Sequence, residues 1–418
     1  MSELGQRLAA PQAEGLAQSG RRGPPDLEVS MTRPVAGWAI AVLTVALVMA
    51  GCGSGAARPA ATRAPAPASA TLSLATSLSA AGTTWATIPM GAPSGPNEFW
   101  QLFTLTSPSG NWSLRTPGGV ATNGALVLAA QGRQTLTAGV RPSLDLGFSP
   151  VTTTRDGGGT WSSLPPEPGF ANVPDALATA AGGQFAALGQ NQAVQVTSAQ
   201  QASWTALTTR KAVAATAAGR RCALAGLTAV AYTPAGSPLL AGTCGRTGTA
   251  GIFTEQDGTW QLAGPALPAA LSGRPVRVLR LSQAGDRDVA LLQAGTGTSA
   301  SLLAAWTGDG RTWTLSQPLG LSGSHPVSAS SGPDGAAAVV LSGGRGVTVS
   351  GPGAPWQQLP SLPPGLAVVL ALPAPGRTDL LAAAGSMLTV WQLTGQPARW
   401  TRTQSVKVPI QYGSSSGS

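Results

Sequence analysis

From residue 83 onward the chain alternates between apolar or alternating runs of four to seven residues and clusters of Gly, Pro, Asp, Ser and Thr. Runs this short, cut by turn formers, predict β-strands and leave little room for long helices. The runs come in threes. Residues 125–130, 134–140 and 148–154 form one set, 176–181, 184–188 and 193–197 the next, and 227–232, 239–243 and 250–254 a third. Further sets fall at 276–281, 288–293 and 300–306, at 326–330, 336–341 and 347–350, and at 367–372, 379–384 and 388–393. Similar turns join the first two runs of a set, among them Pro234-Ala235-Gly236, Ala284-Gly285-Asp286 and Gly332-Pro333-Asp334-Gly335. Turn chemistry that recurs at one place in successive sets marks an internal repeat.

A tryptophan closes every set. Trp161, Trp204, Trp260, Trp313, Trp356 and Trp400 follow the third runs and Trp112 precedes them, with gaps of 49, 43, 56, 53, 43 and 44 residues. That period suits the four-stranded blades of a β-propeller. The stretch Thr154-Arg155-Asp156-Gly157-Gly158-Gly159-Thr160-Trp161 resembles the Asp-box (BNR) turn, Ser/Thr-x-Asp-x-Gly-x-Thr-Trp, of sialidase-like propellers. The resemblance implies an all-β propeller whose box joins the third and fourth strands of a blade, with the tryptophan opening the outer strand and packing between blades. It makes Thr154, Asp156, Gly158, Thr160 and Trp161 folding residues, away from any active site. Shortened strings precede Trp260 (Thr254, Asp257, Gly258, Thr259) and Trp313 (Thr307, Asp309, Gly310, Thr312). Trp204, Trp356 and Trp400 keep little beyond the ring.

Seven blades is the favoured count, with six and eight as alternatives. The blade ending at Trp112 lacks a full set. Residues 99–105 and 111–115 give its last two strands, 83–88 with Trp85 add a strand elsewhere, and the tail 406–411 is expected to supply the missing one. Closing the ring with strands from both termini removes exposed sheet edges.

Composition adds a charge bias. With 10% charged residues, 55 Gly and 35 Pro, the chain suits many tight turns. Lys+Arg outnumber Asp+Glu by 25 to 16, and the only lysines are Lys211 and Lys407. The arginine excess reads either as coding bias or as a basic surface that draws anionic polymers or lipid head groups. Arg210, Lys211, Arg220 and Arg221 cluster in what reads as an exposed inter-blade loop and are candidate contacts.

The N-terminus carries a second signal. Met31-Thr32-Arg33-Pro34 is a short positive segment, 35–49 is an uncharged, mostly apolar run, and Met49-Ala50-Gly51-Cys52 closes it. This resembles a bacterial lipoprotein signal, with Cys52 as the lipidated residue and Met49 in place of the usual leucine. The apolar run is short for a membrane span, which takes about 20 residues. Residues 1–30 precede the signal and read as an extension outside the native protein or as disordered chain. Residues 53–82, rich in Ala, Pro, Ser and Thr, read as a flexible tether, and 83–414 as the propeller domain. The implied location is extracytoplasmic, on the outer face of the cytoplasmic membrane. In an oxidising setting Cys222 and Cys244 pair by default, two buried thiols being the alternative. Pairing the runs about 233–238 puts Cys244 nearer Leu227 than Cys222, so the bridge needs a bulge or a looped approach.

Catalytic constellations are harder to find. A sialidase-like enzyme needs an arginine cluster, a Tyr/Glu pair and an acid. Here the tyrosines are Tyr232 and Tyr412, the glutamates after Cys52 are Glu98, Glu167 and Glu255, and only Arg274-Pro275-Val276-Arg277 approaches that family's arginine motif. The single histidine, His325, cannot by itself anchor a metal or a serine triad. Neither a metal nor another cofactor is expected. The favoured function is a non-catalytic binding or scaffolding module, monomeric, held to the membrane by its lipid and contacting a protein or glycan but no nucleic acid. The alternative is a cell-surface glycoside hydrolase. Residues 83–414 also look like exported propeller lipoproteins of actinobacteria, a resemblance that carries no activity with it.

Overall fold

The computed structural model describes residues 76–408 apart from 92–98, 108, 118–125, 141–150, 164–173, 181, 190, 199–203, 247, 367 and 375. Cys52, the signal segment and the tether up to residue 75 lie outside the described residues. Within them, strand pairings trace seven successive antiparallel meanders of four strands each. The first is Thr76–Ala80, Thr83–Met90, Phe99–Leu105 and Ser113–Leu114; the second Leu126–Ala130, Leu136–Val140, Val151–Thr154 and Ser162–Ser163. The third runs through Pro174–Thr179, Gln184–Gly189, Ala193–Ser198 and Thr205–Thr209, the fourth through Gly226–Tyr232, Pro238–Arg246, Ile252–Gln256 and Thr259–Leu262. The fifth comprises Pro275–Ala284, Arg287–Ala294, Ser301–Thr307 and Thr314–Leu315. Pro326–Ser331, Ala337–Leu341, Arg345–Val349 and Gln357–Gln358 form the sixth, and Val368–Ala374, Arg377–Ala384, Met387–Thr394 and Arg399–Lys407 the seventh.

Burial explains the pattern read from the sequence. The inner strand Gly226–Tyr232 is buried at every position because both sheet faces are packed, so it reads as an unbroken apolar run. The outermost strand Arg399–Lys407 alternates between half-buried and exposed positions. The core is divided into seven apolar clusters, each straddling two neighbouring meanders. Each cluster holds one repeat tryptophan, packed against the preceding meander: Trp161 against the first, Trp204 against the second, Trp260 against the third. Trp313, Trp356 and Trp400 continue the series, and Trp112 packs the first meander against the seventh. Fully burying one indole contributes about 5 kcal/mol of gross transfer free energy, as at Trp112, Trp204 and Trp260, and the half-buried Trp161, Trp313, Trp356 and Trp400 contribute less. A last-to-first cluster closes the ring, and the fold is an all-β propeller.

Three expectations are corrected. The first meander is complete from consecutive strands, because residues 76–80, read as tether, form its inner strand. Ser77 and Ser79 look solvated in sequence, yet both are buried, and the Ser79 hydroxyl meets that of Thr84 at 2.9 Å. Residues 83–88 pair within this same meander. The strand also reaches across the ring: Thr76 pairs in parallel with Ala329 of the sixth meander, and the Arg280 guanidinium of the fifth donates to the Ser77 carbonyl.

The tail does not complete the first meander. Val406 and Lys407 pair with Leu388 and Met387 in the seventh, and 409–411 lie outside the described residues. Side chains close the seam instead. The Trp112 backbone N–H donates to Gln404 Oε1 at 2.9 Å, and Gln404 Nε2 donates to the Trp112 carbonyl at 2.8 Å, so one amide imitates a strand partner. Trp112 Nε1 donates to Asp379 Oδ2 at 3.0 Å, and Arg377 grips the same carboxylate at 2.6 and 2.7 Å. A backbone bond from Gly91 N to Gly385 O, 2.9 Å, completes the closure.

Third, the segment carrying Arg210, Lys211, Arg220 and Arg221 is not a loop. It forms two short helices, α1 (Arg210–Ala215) and α2 (Ala217–Cys222), between the third and fourth meanders.

Candidate functional site

An antiparallel meander of four strands places its first-to-second and third-to-fourth turns at one end, and its second-to-third turn and exit to the next meander at the other. The two ends of the ring carry different chemistry.

The first end is built from acid-held turns. Thr154 Oγ1 donates to Asp156 Oδ1 at 2.8 Å and accepts from Gly158 N at 2.8 Å, while Asp156 accepts from Thr160 N (2.9 Å) and Thr160 Oγ1 (2.7 Å). These donors, the Thr160 backbone first, hold the Asp156 carboxyl well below the usual range. Trp161 follows the turn, half-buried. Gly158 sits at φ +88° with a would-be Cβ 2.8 Å from Arg115 Cβ, so glycine is required there. The shortened string before Trp313 folds the same way: Asp309 Oδ1 accepts from Thr312 N at 2.7 Å and Arg311 N at 2.8 Å, which depress its pKa. The string before Trp260 does not. Asp257 and Gly258 both have positive φ, 52° and 73°, between the paired Gln256 and Thr259. That is a two-residue hairpin of the primed kind, which Asp-Gly favours, and its resemblance to the longer turn was composition alone.

At the other end stands the helical corner. Thr209 caps α1 by accepting from Ala212 N at 3.1 Å, and Thr216 caps α2 by accepting from Gly219 N at 3.0 Å. Gly219 nests against α1, its would-be Cβ only 2.0 Å from Val213 O. Two capping threonines flanking an alanine-rich run were the sequence signal for these helices. Cys222, the last residue of α2, is bonded to Cys244 with a Cα–Cα distance of 4.9 Å. Ala223, left-handed at φ 52°, turns the chain into the next strand, where Ala225 N donates to Thr243 O. The bridge is thus reached by a looped approach. Lys211, Arg220 and Arg221 are exposed, Arg210 half so, and Arg220 also donates to the Ala215 carbonyl.

The groups an enzyme would need are dispersed. Tyr232 is buried, and desolvation pushes its hydroxyl up to about 12. Glu255 lies in a hairpin opposite Trp260, and His325 is exposed, its backbone N–H donating to Ser342 Oγ and its carbonyl accepting from Ser342 N. Glu98, Glu167 and Tyr412 lie outside the described residues. Sequence reasoning passed over Asp288, which is fully buried. Burial pushes its carboxyl up to about 7, and neither oxygen has a partner among the described residues. An open cleft of about 670 Å³ lies at the seam of the sixth and seventh meanders, lined by neutral groups such as Gln357, Gln358, Ser361 and Thr378. Among the described residues no cluster of His, Cys, Asp or Glu could hold a metal.

No family model matches the chain, and no curated protein is similar to it. Solved propeller-type structures are similar in part. YCF48 bound to D1 peptide shares 14% identity at a TM-score of 0.45, covering 78% of this chain and 93% of its own. YCF48 from Cyanidioschyzon merolae shares 14% identity at 0.45, covering 76% and 94%. A putative 6-phosphogluconolactonase from Bacteroides fragilis shares 14% identity at 0.49, covering 78% and 95%.

Proposed function

We propose that this protein is a lipid-anchored extracytoplasmic propeller of seven blades that serves as a non-catalytic binding or scaffolding module for a protein or a cell-envelope polymer. The turns at Asp156 and Asp309 belong, on this reading, to the Asp-box type. The observation that carries it is how the strong chemistry is spent. Asp156, Asp309 and Asp379 hold turns or the closing seam, Tyr232 is buried, and the groups left facing solvent at the helical corner are cations. The Cys222–Cys244 bond supports an oxidising, exported location. Function on such a scaffold lives in its loops.

Two measurements test this. Replacing Cys52 with Ala should move the protein from the membrane to the soluble fraction, and retention in the membrane overturns the anchor. Surface cross-linking of intact cells should recover one partner repeatedly and lose it when loop cations are neutralised. Turnover on a glycan panel that disappears when one acid is neutralised contradicts the binding role and favours a hydrolase.

A further inference from the structure

The end of the ring that bears α1 and α2 continues as a ridge of loops tied to one another. The disulfide joins α2 to the second strand of the fourth meander, beyond which Leu267 N donates to Gly248 O at 2.8 Å. Arg274, closing that second loop, donates to the Ser299 carbonyl of the fifth meander. Leu321 N then bonds Ala300 O at 2.9 Å, and Ser342 N bonds His325 O at 2.8 Å. This end presents Lys211, Arg220 and Arg221, exposed, and Arg210 and Arg274, half-exposed. The segments 210–225, 244–251, 263–274, 295–300, 316–325 and 342–345 contain no Asp or Glu at all. Asp257, Asp286, Asp309 and Asp334 of the same meanders all stand in turns at the opposite end. The topology keeps the acids of these meanders away from the helical end, while the opposite end mixes them with Arg155, Arg287 and Arg311.

The same end is where the chain enters. The first strand runs parallel to Pro326–Ser331 in register Thr76↔Ala329, so its N-terminal end, Thr76, points to the His325 side of the ring. We propose that this ridge is a docking surface for an anionic lipid bilayer, holding the ring with its Asp-bearing turns away from the membrane. The choice of partner rests on the anchored reading above. Cations spread over two short helices and a neighbouring loop, with no acid among them, fit a plane of head groups better than one discrete ligand.

Every described strand falls within Ala64–Ser418, which forms a compact unit of its own, so that fragment tests the ridge without the anchor. It is sedimented with vesicles of phosphatidylglycerol and phosphatidylcholine, or of phosphatidylcholine alone. We expect co-sedimentation with the anionic vesicles that weakens in high salt. The pair Lys211→Gln and Arg221→Gln should weaken it by roughly fivefold for each charge removed. The opposite-end pair Arg155→Gln and Arg311→Gln should leave it unchanged, with circular dichroism verifying the fold of every variant. Equal binding to neutral vesicles, or indifference to the ridge pair, overturns the proposal. So does retention on immobilised polyglycerol phosphate without vesicle binding, which assigns the ridge to a polymer. Fractionation of the full-length Cys52→Ala protein reports on the anchor separately, so the two failures are distinguishable.

Discussion

Replacing Asp379 by Ala probes the closure of the ring. The carboxylate is 3% exposed and its partner Arg377 13%, and it also accepts from the indole of Trp112 across the seam. Removing it strips a largely buried guanidinium of its carboxylate, which costs about 3–5 kcal/mol where such pairs have been broken. The orphaned Trp112 N–H adds about 1–3 kcal/mol. These penalties share one site and do not sum, so we expect a loss of about 4 kcal/mol. With a urea slope of about 3 kcal/mol/M for a domain of this size, the midpoint falls by roughly 1 M at unchanged slope. The assay is urea unfolding followed by far-ultraviolet circular dichroism. The double variant Arg377→Met/Asp379→Leu removes both charges and should recover most of the loss. A single variant within about 1 kcal/mol of the parent refutes the reasoning, as does a double variant as unstable as the single one.

Asp288 gives a pH signature: with its carboxyl raised from 3.8 to about 7, the folded state holds a proton that the unfolded state has lost. Stability should therefore fall as pH rises through that window, by roughly 4 kcal/mol at most, and Asp288→Asn should flatten the dependence in urea melts at several pH values. Reducing the Cys222–Cys244 bridge, with a separation of 22 residues, should cost about 3 kcal/mol, read as a lower denaturation midpoint with reductant. Gly310→Ala places a Cβ 2.5 Å from Thr233 Cγ2 at φ +72° and should cost about 2 kcal/mol or more. Gly343→Ala, at φ +82° with nothing within 4 Å, should cost about 1 kcal/mol, and the two melting curves check the difference.

The strands of the second to seventh meanders were legible because burial between neighbours writes itself as apolar runs, and because a tryptophan recurs at one place in every repeat. The first strand was illegible for the opposite reason. Its Thr-Ser-Leu-Ser-Ala sequence buries hydroxyls rather than methyl groups, and a polar composition reads as tether. Closure was hidden because it depends on Gln404, Asp379 and Arg377, residues that gain meaning only when the ends of the chain meet. The turn at Asp257 shows the converse error, since Asp-Gly-Thr-Trp fits both a hairpin and a longer turn, and one residue of length decides between them. At the candidate site, the basic residues were visible but the absence of acids from their end of the ring was not. That follows from which end of each strand a loop joins, and strand order alone does not reveal how the loops touch.

Amide hydrogen exchange at the closing seam tests the account most directly. The Trp112 and Gly91 amides are bonded to Gln404 Oε1 and Gly385 O, both at 2.9 Å. A closed ring predicts that both are protected, and that Gln404→Ala exposes the Trp112 amide while Phe103, inside the first meander, stays slow. Free exchange of Trp112 and Gly91 in the unaltered protein would contradict closure by this side-chain clasp.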